Sequence, residues 1–220
     1  MSVFFVLGNI LLFLSAGLCI FWFSGKKTPL YFRILMLATA CYTTVSLFRA
    51  VYYFCYGSFY REPGITFLGF FGCFLFLFSA NFGQFDSLID DRSSALMKYR
   101  LLALAAPAAL LFFLVVFALT AKDLLPTLPL IVTVVGFLPA VPASYYQFKH
   151  LILPDMGFSF SKGVRLCNLF ALLAEVFELA RLYVSAAGEQ TAENVCLFCV
   201  ALSFLGLTLF AKRGMKLWYL

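Results

Sequence analysis

Charged side chains are scarce in this sequence. They make up 12% of its 220 residues, against about a quarter in a soluble domain. That shortage excludes an ordinary soluble globule, which needs polar surface around its core. Histidine occurs once, at His150, so no multi-histidine metal site can be built. The 10 acidic residues form no second cluster of the kind that holds a metal-bound diphosphate. No phosphate loop, nucleotide fingerprint or nucleophile–base–acid set is legible. No cofactor and no metal are therefore expected, and an enzyme is not the leading reading. The net charge of +6 is no nucleic-acid footprint either, because the basic residues lie in short clusters between apolar runs, where membrane orientation accounts for them.

What the sequence has in abundance is apolar length. Hydrophobic residues make up 64% of the chain and phenylalanine alone supplies 29. Runs of about 20 apolar residues follow one another with short polar breaks, the pattern of membrane-spanning helices. The predicted fold is an all-α integral membrane protein, one domain over residues 1–220, with seven transmembrane helices. The spans are predicted at 2–23, 34–57, 64–85, 101–121, 125–148, 164–187 and 193–211. The first run has no Lys or Arg before it and is not expected to be a signal peptide. Seven cysteines lie within these runs and read as small buried hydrophobes, Cys196 and Cys199 included.

Charge gives the spans a direction. One set of connections carries Lys26, Lys27 and Arg33, then Arg92, Lys98 and Arg100, then Lys149, Lys162 and Arg165, and finally Lys212, Arg213 and Lys216. The opposite set carries Arg61 and Lys122. Positive residues stay cytoplasmic, so the N-terminus is expected outside and the C-terminus inside. The short loops fit a bacterial cell membrane. Aromatic residues with polar tips mark the interfaces: Tyr52, Tyr53 and Tyr60 the outer one, Tyr145, Tyr146 and Tyr219 the inner one. Arg33 and Arg49 are spaced as Arg165 and Arg181 are, in spans that run the same way. That match, a few residues deep, suggests a 3+1+3 arrangement with parallel repeats.

The sixth span is the exception to the apolar rule, with Glu175, Glu178 and Arg181 at membrane depth. Such residues usually face a bundle interior or a wet cavity. Counting from Arg165 at about 1.5 Å per residue places Glu175 about 15 Å in, near the midplane. Asn168, Ala171, Glu175 and Glu178 share one helical face. Glu178 and Arg181 can pair along the helix, leaving Glu175 without a local partner. Desolvation disfavours a charged carboxyl, and a group poised between two protonation states can couple proton movement to transport. The competing reading has Glu175 bonded to Arg49 or an amide, fixing helix packing. Arg49, at a depth like that of Arg181, either lines an outer vestibule, snorkels to the interface, or pairs with Glu175 or Glu178.

The cytoplasmic end of the third span supplies a second polar cluster, Asn81, Gln84, Asp86 and Asp90. The two aspartates are a helical turn apart. They could share a hard cation or pair with Arg92, Lys98 and Arg100. Ser79 and Gly83 form a small-xxx-small pair that invites close helix packing. Gly136, Pro139 and Pro142 predict a kink in the fifth span and Pro107 one in the fourth. His150 reads as an interface residue. The function expected is a transporter or channel for a small solute or ion, with Glu175, Glu178, Arg181, Arg49 and Asn168 lining the pathway. The alternative is a seven-helix sensor or receptor signalling to a separate cytoplasmic protein, and a lipid-modifying membrane enzyme is a third reading. The partners expected are the lipid bilayer and the solute, with no nucleic acid.

Overall fold

The computed structural model describes residues 2–57, 65–90, 93–154 and 161–218. Tyr60, Arg61, Arg92, Tyr219 and the side chain of Gln84 lie outside the described residues. Among those described, all regular structure is helical. Helix α1 covers Val3–Phe23, α2 Leu30–Tyr56, α3 Ile65–Asn81 and α4 Gln84–Ile89. A 3-10 turn at Ser94–Leu96 leads into α5 (Met97–Ala103) and α6 (Ala105–Ala121). Then follow α7 (Thr127–Phe137), α8 (Ala140–Ile152), α9 (Ser161–Ala186) and α10 (Gln190–Trp218).

Among the described residues, 6 helical stretches are long and apolar enough to cross a membrane: α1, α2, α3 with α4, α5 with α6, α7 with α8, and α10. Helix α9 has the length, 26 residues, but its five charged residues, Lys162, Arg165, Glu175, Glu178 and Arg181, keep it out of that apolar group. Several helices outrun the predicted spans: α2 starts at Leu30 and α10 ends at Trp218. An apolar run measures hydrocarbon thickness, whereas a helix continues into the polar interface for as long as its own backbone bonds are satisfied.

The predicted kinks have local causes. Pro142 offers no N–H to Leu138, and Pro139 none to Val135. The chain between α7 and α8 tightens there, with Leu138 N–H bonded to Val135 O and Val141 N–H to Leu138 O. Pro107 likewise sits in the first turn of α6, just past the break at Leu104. The third predicted span breaks as well, at Gly83, whose φ of 75° lies in the left-handed region. A Cβ on Gly83 would meet nothing within 4 Å. Gly83 is therefore a turn residue, not the close-packing glycine expected from its spacing with Ser79.

Close approach occurs at other glycines. A Cβ on Gly69 would run into Val45 Cγ2, and one on Gly163 would lie 2.5 Å from Gly214 Cα. These contacts draw α3 onto α2 and α9 onto α10. Packing runs in chain order around a closed circuit: α1 on α2, α2 on α3, α3 on α7 and α8, α8 on α9, α9 on α10, and α10 back on α1. Helices α5 and α6 stand outside this circuit, against α8 and α9. The interior holds bulky side chains such as Phe32, Phe74, Leu77 and Phe204, together with buried polar groups on several helices, the charged ones chiefly on α8 and α9. Cys19, Cys73 and Cys167 are buried as expected, but Cys55 is exposed.

Candidate functional site

The two ends of the bundle are distinguished by charge. The basic end holds the α1–α2 loop with Lys26 and Lys27, and the far end holds the α9–α10 loop at Gly188. At the far end Arg181 grips Glu178 in a fork: Nε donates to Oε2 at 2.8 Å and Nη2 to Oε1 at 2.6 Å. This is the i,i+3 pair expected from the sequence. The Tyr42 hydroxyl on α2 also donates to Glu178 Oε2. A second carboxylate, Glu193 in the first turn of α10, bridges two helices. Its Oε1 accepts Arg181 Nη1 at 3.1 Å and Arg49 Nη2 at 2.7 Å. Arg49 therefore pairs with Glu193. The phenyl ring of Phe70 lies 5.5 Å from the Arg181 guanidinium, within cation–π range.

Arg49, Glu178, Arg181 and Glu193 form one wall of a cavity of about 260 Å³. The opposite wall, from α3, α6 and α7, is largely apolar, with Phe67, Phe117, Val132 and Phe137. Leu124 and Gln190 at the mouth are exposed, while Phe117, Phe137, Glu178 and Arg181 at the floor are buried. The cavity thus opens at the far end and closes within the bundle.

Glu175 lies one turn of α9 below that floor and does not line the cavity. It is 0% exposed. Gln147 on α8 donates Nε2 to its Oε1 at 2.9 Å. Glu175 Oε2 and Gln147 Oε1 are both buried and have no hydrogen-bond partner among the described residues. The amide is one of the two contacts, with Arg49, that the helix-packing reading named for Glu175.

The basic-end cluster lies further along the same helices. One turn beyond Gln147, His150 is buried among α3, α4 and α9. Its Nδ1 lies 3.1 Å from Asn81 Oδ1 and 3.5 Å from Asn168 Nδ2, and its Nε2 lies 3.0 Å from Asp86 Oδ1. His150 is 1% exposed, which corrects its reading as an interface residue. Lys149 pairs with Asp86 and, at 3.3 Å, with Asp90. Arg100 on α5 holds Asp90 in a second fork, at 2.8 and 2.6 Å. An ammonium therefore occupies the place between the aspartates where a hard cation was one expectation. Lys98 lies over the Tyr99 ring, 5.1 Å from its centroid.

The chain matches no protein-family model, no curated protein and no solved structure.

The residues singled out from the sequence fall into separate groups. Arg49, Glu178 and Arg181 meet at the cavity, Glu175 stands below them, and Asn168 joins Asn81, Asp86 and Asp90 at the basic end. Sequence reasoning missed Tyr42, Gln147, Lys149 and Glu193. Tyr42 could have been found, since it lies seven residues before Arg49 and so shares its face of α2. Glu193 carried no such signal, because an acidic residue in a helix's first turn is ordinary dipole compensation.

Proposed function

We propose that the chain is a seven-span membrane protein that moves a small solute or ion between the far-end cavity and the basic end. Helix α9 counts as a span in this reading. At about 1.5 Å per residue it is roughly 39 Å long, more than the roughly 30 Å hydrocarbon core. It packs between α8 and α10 with its carboxylates turned inward, and beyond Lys162 at its basic end its exposed residues, Leu169 and Val176, are apolar. With the basic loops cytoplasmic, the cavity opens to the outside.

The 3+1+3 arrangement gains support from the two arginine pairs. Arg33 and Arg165 each donate to backbone carbonyls of the preceding loop, Gly25 and Leu153 respectively. Arg49 and Arg181 converge on one oxygen of Glu193. Arg33 and Arg165 thus hold corresponding contacts, while Arg49 and Arg181 meet on one residue of the second half.

The observation that carries the transport reading is the bonding of Glu175. The amide contact is one that a carboxyl fixing helix packing would also make, but such a clasp has no use for an oxygen left unpartnered. Glu175 meets a neutral amide and keeps one oxygen buried and unpartnered. It stands between the ion pairs of the cavity and those of the basic end, where a mobile proton has a place to bind. Glu175→Gln keeps the shape and removes the titrating group. The variant protein in proteoliposomes with an imposed pH gradient is expected to lose uptake at least tenfold, with its far-UV spectrum unchanged. Unchanged uptake would remove Glu175 from the mechanism. A wild-type chain that binds its ligand yet moves nothing would favour the receptor reading.

A further inference from the structure

The cavity's polar wall presents two guanidinium groups and two carboxylates, and so is balanced in formal charge. The pairs are not equivalent. Arg181 and Glu178 are forked and almost wholly enclosed, with side chains 4% and 1% exposed. Arg49 and Glu193 share one contact, with side chains 16% and 13% exposed. The second pair is the half of the network that a ligand can reach and exchange. A ligand of net charge would leave one of these partly buried groups unmatched, which is costly. A ligand that carries both signs close together leaves none unmatched.

The opposite wall narrows the class further. Beside the Thr66 and Thr133 hydroxyls, few against a sugar's many, Phe67, Phe117, Val132 and Phe137 present carbon alone. They suit an apolar body. The volume, about 260 Å³, lies below the roughly 300–1,000 Å³ of sites for drug-sized ligands. We infer that the cavity binds a small amino-carboxylate zwitterion with an apolar side chain, of the free α-amino acid class. Its carboxylate takes the place of Glu193 on Arg49, its ammonium pairs with the displaced Glu193, and its side chain lies among the phenyl rings. The inference deepens the transport reading by naming its solute.

Isothermal titration calorimetry on the full-length protein in detergent tests it. L-Leucine and L-phenylalanine are compared with isoamylamine, phenethylamine and 3-phenylpropanoate, which keep the body and lose one charge. The two amino acids are expected to bind and each single-charge analogue to bind at least tenfold more weakly. Arg49→Gln should weaken phenylalanine at least tenfold. Val132→Phe, which fills the apolar wall and touches no ion pair, should reverse the preference from phenylalanine to alanine, so the assignment stays testable if the arginine variant misfolds. Equal binding of an amine or an acid overturns the assignment, as does failure of both amino acids to bind. Binding of glycerophosphoethanolamine in their place also overturns it and assigns the cavity to a lipid headgroup. Binding is measured without a gradient, so a loss of uptake in Glu175→Gln bears on the transport mechanism and leaves the ligand class untouched.

Discussion

Arg181 and Arg49 meet the same oxygen of Glu193, yet their removal should have different consequences. Arg181→Ala leaves Glu178 enclosed and without its fork, and breaking a buried pair in this way costs about 3–5 kcal/mol. Arg49→Ala breaks a less enclosed pair and leaves Glu193 its bond to Arg181, so it costs less. Thermal unfolding in detergent should therefore show a large loss for Arg181→Ala and a small one for Arg49→Ala. Equal losses would mean that the rim pair is as enclosed as the fork. The same contrast explains which residues could be read from the sequence. Glu175, Glu178, Arg181 and Arg49 stand out because they interrupt apolar runs. His150, Lys149 and Glu193 sit near the ends of apolar runs, where polar residues are expected, and nothing local reveals that the chain folds back over them.

Helix α9 is held to α10 where Gly163 faces Gly214. The obstacle to a side chain at Gly163 is backbone, 2.5 Å from a built Cβ, and backbone cannot rotate out of the way. Gly163→Ala should lower the melting temperature clearly. Gly17→Ala in α1, whose added methyl meets nothing within 4 Å, should be neutral or raise it, since alanine is favoured over glycine in a helix by about 1 kcal/mol. Similar losses at both sites would argue against a tight α9–α10 crossing. Proline made the breaks after α5 and α7 legible, because a missing N–H acts on its own helix. The packing glycines were not legible. Whether a glycine faces a neighbour or a turn depends on tertiary placement, and Gly83 and Gly163 read alike until that placement is known.

At the scale of the whole molecule, the alternation of basic and neutral loops carries more information than any single residue. In the proposed topology it assigns a direction to every span, and that topology needs α9 to cross. Fusions of a fluorescent protein that matures only in the cytoplasm should be bright after Leu153 and dark after Gly188. Brightness at both would leave α9 on one side of the membrane and remove the seventh span. The chain-order circuit and the outlying position of α5 and α6 were beyond the reach of the sequence, because apolar spans carry little record of which neighbour each one faces.

The break between α7 and α8 divides one segment into parts with different attachments. Below it, Gln147, Lys149 and His150 are bolted to α3, α4 and α9 through polar contacts. Above it, the 11 residues of α7 supply Val132 and Phe137 to the cavity and lean on α3 and α6 through apolar contact. The segment is built like a door hung on a fixed post. A swing of its upper panel would change the width of the chamber without breaking an ion pair.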